Sequence, residues 1–207
     1  MRLLLARHAP TDWNGNDRYQ GHEDIALSPT GRQLAALLAE RLGGERIDEI
    51  HTSDLRRAWE TASGVSDTRR LPLRSDPRLR ELHFGIWQGL TYDEVRQAYP
   101  EVLAAWEADA LRVAPPGGET LAQLAGRVGG FLGGLTAEAT LDQTVLVVAH
   151  KGSLQVLLCL ALGLPPQARW QFRLEPAALS ELNLYPDGAI LNFLNDTHHL
   201  REVAHAG

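Results

Sequence analysis

Two short apolar runs punctuate this chain, Leu3-Leu4-Leu5-Ala6 and Val145-Leu146-Val147-Val148-Ala149, and each ends beside a histidine, His8 and His150. A continuous run of this length fits a strand covered on both faces. The stretches between them carry other periods. Leu34, Leu37, Leu38 and Leu42 recur at helical spacing behind Ser28-Pro29, which supplies an N-cap and a first-turn proline, and Gly43-Gly44 stops that helix. Asp48–Thr52 reads as a short strand. Ser53 is placed to cap a helix whose inner face is Leu55, Ala58, Trp59, Ala62 and Val65. Leu71-Pro72-Leu73-Arg74 fits an edge strand, because proline donates nothing to a central ladder. Short helices are expected over Tyr92–Tyr99 and Glu101–Ala110. Thr120 and Gln123 have capping-box spacing and open a helix with Leu121, Leu124, Val128, Phe131 and Leu135 on one face. A helix over Ser153–Leu162 follows, and Ser180–Tyr185 with Ala189–Leu194 form a hairpin around Asp187-Gly188.

Strands alternating with helices, then a hairpin, predict an α/β fold: a three-layer α/β/α sandwich around a mostly parallel mixed sheet. The less regular stretch at about 76–118 reads as a small helical cap inserted into one domain spanning 1–207. An open α/β sheet places ligand-binding groups at its strand ends. His8 and His150 are therefore expected to meet in one crevice, with Arg7 beside the first. An attacking imidazole with guanidinium close by suits phosphoryl chemistry.

Composition narrows the partners. The formal net charge of −6 argues against nucleic acid or an anionic membrane surface, while leaving room for a small anionic substrate in a local cationic cluster. The single cysteine, Cys159, excludes an intrachain disulfide and sits among apolar neighbours that predict burial. The N-terminus runs straight into a strand without signal-peptide anatomy, and the apolar run Leu154–Leu164 is too short to span a bilayer. A soluble, cytoplasmic protein is expected. The edge strand and hairpin leave homodimer pairing open.

Four ordered motifs carry a family resemblance. Arg7-His8-Ala9 with Thr11, Trp13-Asn14 and Gln20-Gly21 comes first, then Thr52-Ser53-Asp54-Leu55-Arg56-Arg57-Ala58 with Thr61-Ala62. Leu79 to Gly89, containing Arg80-Glu81-Leu82, is the third, and Val148-Ala149-His150 the fourth; Pro116-Gly117-Gly118-Glu119-Thr120 adds a stretch typical of phosphatase branches. Together they resemble the histidine phosphatase superfamily, the phosphoglycerate-mutase-like proteins, over nearly the whole chain.

The resemblance implies roles. His8 is the nucleophile and forms a phosphohistidine that water hydrolyses. Arg7, Arg57 and His150 surround the transferring group and stabilise charge on its equatorial oxygens. Glu81 protonates the leaving oxygen and later accepts a proton from water. Asn14, Gln20 and Gly21 complete the cradle, and no metal or cofactor is implied. Lys151 departs from the small or amide-bearing residue usual after the second histidine. Its ammonium either points to solvent, the favoured reading, or binds an acidic second group on the substrate. Arg56 and Arg57 cannot share a helix face, and the family register selects Arg57. Trp59 is read as core, Trp87 and Trp106 as either pocket or cap, and His22, His51 and His83 as non-catalytic. His198, His199 and His205 are weak metal candidates.

The expected activity is a phosphomonoesterase acting on a small phosphorylated substrate, nearest the α-ribazole and broad-specificity phosphatase branches. A cofactor-dependent phosphoglycerate mutase is the alternative, and a non-catalytic phosphate-ligand module a remoter one.

Overall fold

The computed structural model describes residues 1–138, 140 and 142–200. Six strands form one sheet: β1 (Arg2–Arg7), β2 (Glu49–Thr52), β3 (Leu73–Ser75), β4 (Thr144–Ala149), β5 (Leu179–Tyr185) and β6 (Gly188–Asp196), in spatial order β3-β2-β4-β1-β5-β6. The pairs β3–β2, β2–β4 and β4–β1 are parallel, whereas β1–β5 and β5–β6 are antiparallel. The sheet is thus mixed, with the two apolar runs side by side at its centre.

Those runs are buried on both faces, and their alternation sorts the core into two layers. Leu3, Leu5, Val145 and Val147 pack against α5 (Leu121–Glu138) and α6 (Lys151–Ala161). Leu4, Ala6, Leu146 and Val148 pack against α1 (Pro29–Arg41) and α2 (Arg56–Arg69). A period-two pattern hidden inside an all-apolar run decides which side chain meets which helix pair. Ser28 caps α1 as expected, accepting from Gly31 N at 2.9 Å. The Thr120–Gln123 exchange ahead of α5 is also reciprocal, with 2.8 and 3.2 Å bonds.

Two local expectations are corrected. Ser53 does not cap α2. Leu55 holds the N-cap position without a side-chain bond, and Ser53 Oγ accepts from Leu55 N at 3.3 Å instead. Trp59 is 40% exposed rather than core. The buried stripe of α2 is Arg57, Ala58, Thr61, Ala62 and Val65. A guanidinium occupies a position that an apolar-period reading assigns to a hydrophobe, and the stripe rotates away from Trp59.

Between β3 and α5 the chain forms α3 (Tyr92–Ala98) and α4 (Pro100–Ala108), built around a small cluster of Trp87, Val95 and Leu103. Thr91 and Glu94 close a capping box at the start of α3. Trp87 is wholly buried in that cluster, whereas Trp106 reaches the wall of the principal cleft. Cys159 is buried in the α5–α6 layer. No helix among the described residues is long and apolar enough to cross a membrane.

Candidate active site

Arg7 pairs with Ala149 across the parallel β1–β4 ladder, and His8 N donates to Ala149 O at 2.8 Å. The chain therefore leaves both strands at one level, and the rings of His8 and His150 lie 5.1 Å apart, tilted by 56°. His8 Nδ1 donates to the carbonyl of Ala9 at 2.7 Å, since a carbonyl can only accept. That bond leaves the Nε2 lone pair free. Burial drives the His8 pKa well below its ordinary value, and the charges of Arg57 and Arg7 push the same way against the opposing Ala9 bond. His8 is thus held as a neutral imidazole with Nε2 unprotonated.

Arg57 reaches the second histidine from α2. Its Nε donates to His150 Nδ1 at 3.2 Å, and its other nitrogens donate to Glu23 O and Gly21 O, each at 2.7 Å. Three donors thus lock the guanidinium in place. Burial lowers its pKa to about 10, so it stays charged at neutral pH. His150, buried and beside Arg57, is likewise held well below the usual imidazole range. With Nδ1 accepting, its proton resides on Nε2, which has no partner. Arg7 anchors one nitrogen on Leu174 O at 2.7 Å, and its buried Nε is also unpartnered. A neutral His8 thus stands among donors whose hydrogen-bonding capacity the protein itself does not use.

Arg7, His8 and Arg57 line a cleft of about 320 Å³ together with Glu81 and Lys151, and His150 lies fully buried behind His8 rather than on the cleft wall. Glu81 Oε1 accepts from its neighbour Leu82 N at 2.8 Å, and Oε2 accepts from Gly152 N, in the first turn of α6, at 3.1 Å. Asn14 and Gln20 line the same cleft. Asn14 Oδ1 accepts from both Thr11 N and Thr11 Oγ1, which turns its amide N–H groups away from Thr11. Gln20 is buried with Oε1 unpartnered. Gly21 stands one step back. It has φ +52°, and its carbonyl serves Arg57; a Cβ there would lie 2.2 Å from Gln88 Oε1. Lys151 is exposed at the cleft edge.

The frame behind Glu81 was not read from the sequence. Arg127 on α5 donates to the carbonyls of Arg78, Arg80 and Glu81 at 2.6–2.8 Å and forks onto Glu119. His22 Nε2 donates to Glu81 O at 2.8 Å. Burial raises the Glu119 carboxyl, but the Arg127 bonds and charge outweigh it and leave its pKa lowered. The spacing of Arg127 on an apolar-period helix carried no signal of this role. Arg169, also on the cleft lining, lay in a stretch the sequence left unassigned. Arg56, which the family register passes over, pairs with Glu60 at the surface. His199 donates to Ala177 O, and His205 lies outside the described residues.

The family described as the histidine phosphatase superfamily (branch 1) matches residues 3–197. Phosphoserine phosphatase 1 of Hydrogenobacter thermophilus is 35% identical over 98% of this chain and 95% of its own length. Glucosyl-3-phosphoglycerate phosphatase of Mycolicibacterium vanbaalenii is 41% identical over 79% of this chain and 75% of its own. Among solved structures, the α-ribazole phosphatase from Shigella flexneri superposes with a TM-score of 0.88 at 32% identity, covering 95% of this chain and 96% of that one.

Proposed function

Because this chain belongs to the histidine phosphatase superfamily, branch 1, we propose that it hydrolyses phosphate monoesters of small metabolites through a phosphohistidine on His8. One observation carries the reading. A buried, neutral His8, tautomerically fixed by Ala9 O, faces a charged Arg57 and an unpartnered His150 Nε2–H. The relatives named for phosphoserine, glucosyl-3-phosphoglycerate and α-ribazole phosphatases support a small phosphorylated substrate.

In the first half-reaction His8 Nε2 attacks phosphorus as the P–O bond to the leaving group breaks, and Glu81 delivers its proton to the departing oxygen. In the second, water attacks the phosphohistidine while Glu81 takes its proton. The P–N bond breaks, and inorganic phosphate leaves with His8 neutral again. Arg7, Arg57, His150 Nε2–H and the amides of Asn14 and Gln20 hold the equatorial oxygens, where charge gathers in the transition state. Arginine suits this because its planar fork matches phosphate oxygens and its charge survives burial. The guanidinium groups supply the positive charge that a metal supplies in other phosphatases.

The test is to stop turnover of a labelled ester with acid-sparing quenching and map the phosphoryl group by peptide mass spectrometry. The label is expected on His8, and His8→Ala is expected to abolish p-nitrophenyl phosphate hydrolysis. A label on another residue, or hydrolysis surviving that substitution, refutes the mechanism. Transfer to 3-phosphoglycerate primed with bisphosphoglycerate, if faster than phosphate release, would make the enzyme a mutase instead.

A further inference from the structure

Beside the cleft lies a second hollow of about 450 Å³. Arg7, Lys151, Gln155 and Arg169 line both, so the two spaces adjoin, and Trp170 lies on the far side. Three features of this second space are unused by the chemistry above. Lys151 and Arg169 meet no carboxylate within ion-pair distance among the described residues, whereas Arg173, in the same hollow, is taken by Glu175 at 2.6 Å. Gln155 is buried and spends its Nε2 on Phe172 O at 2.6 Å, which leaves its Oε1 without a partner. Trp170 stands 76% exposed, the most exposed large apolar side chain described.

The direction of the chemistry connects the two hollows. Glu81 is held by Gly152 N, the amide next along the chain from Lys151. An oxygen protonated by Glu81 therefore departs beside the first turn of α6, in the cleft that Lys151 and Arg169 also line.

We propose that Lys151 and Arg169 form a carboxylate-binding subsite for the leaving group, so that the enzyme's substrates are phosphate monoesters of hydroxy acids. This rests on the phosphomonoesterase reading and names its substrate class. A carboxylate presents two coplanar oxygens, which the Arg169 fork matches while Lys151 adds a mobile point charge. A second phosphate is the poorer occupant. It brings more negative charge than a carboxylate close to the phosphoryl group already bound.

The experiment compares phosphate release from 3-phosphoglycerate and from glycerol 3-phosphate, which share a three-carbon frame and differ in carboxylate against hydroxymethyl. Wild type is expected to prefer the carboxylated ester by at least about tenfold in kcat/KM, chiefly through KM. Lys151→Met and Arg169→Met should each shrink that ratio and the double variant bring it to about one, whatever the absolute rates, while Arg169→Lys keeps part of it. A wild-type ratio near one with p-nitrophenyl phosphate still hydrolysed overturns the subsite alone. A ratio that survives the double variant does the same, as does a larger preference for fructose 1,6-bisphosphate over fructose 6-phosphate. Release from no ester at all, p-nitrophenyl phosphate included, overturns the hydrolase reading and the subsite with it.

Discussion

Arg57 Nε donates to His150 Nδ1 across 3.2 Å inside the protein. A guanidinium only donates, so this bond assigns the tautomer of His150 and leaves Nε2 as the protonated edge. Arg57→Lys keeps a charge but loses the three-way fork onto His150, Glu23 and Gly21. It is expected to lower kcat by about 10²-fold or more. The ¹⁵N shifts of His150 should then show its Nδ1/Nε2 assignment released. A full-rate lysine variant would remove Arg57 from the transition state.

Both histidines have pKa values held well below the ordinary imidazole value by burial first and neighbouring arginines second. The folded state therefore binds fewer protons than the unfolded chain below about pH 6.5, and stability falls as pH drops through that value. The two groups together set a limiting slope of about 2.7 kcal/mol per pH unit. Denaturant midpoints at pH 7 and pH 5.5 measure it. At about pH 6 the ¹⁵N spectrum should show His8 protonated on Nδ1 and His150 on Nε2. Imidazolium signals from either would contradict the buried-neutral assignment.

Glu81→Gln removes the transferable proton while keeping an acceptor for Gly152 N. It is expected to slow alkyl phosphates by about 10²–10⁴-fold and p-nitrophenyl phosphate much less, since nitrophenolate departs without protonation. Equal losses on both would disqualify Glu81 as the acid.

Arg127 bonds the Glu81 backbone and is absent from the cleft lining, so it is expected to act through Glu81 rather than on substrate. Arg127→Met removes the Arg127 bonds to the carbonyls of Arg78, Arg80 and Glu81, of which Glu81 O keeps His22, and leaves Glu119 partly buried without its arginine. A loss of about 2–4 kcal/mol in stability is expected. The positioning role predicts something more: the dependence of rate on leaving-group pKa should steepen toward that of Glu81→Gln. Lowered stability with an unchanged dependence would make Arg127 merely structural.

The central strands and their histidines were legible because an apolar run broken by a polar residue is a local signal, and parallel neighbours that end together need only the sheet to align them. Ser28 was legible for the same reason, as its bond is to a residue three positions on. Glu81 was found only through the family resemblance, since a lone carboxylate in an irregular stretch carries no period. Arg127, Gln155 and Arg169 escaped because their partners or neighbours at the site lie far along the chain, and no spacing along it encodes them. Trp59 was misplaced because helical periodicity counts hydrophobes, while the buried stripe of α2 spends one of its positions on Arg57.

Gly152 has no room for a side chain, since a Cβ there would come within 2.2 Å of Glu81 Oε1. The obstructing atom is the tip of a flexible carboxylate, so a Gly152→Ala chain should still fold and still clasp phosphate. What it loses is the docking of the proton carrier. One methyl group on α6 is thus expected to slow alkyl esters as Glu81→Gln does while leaving the grip on phosphate unchanged.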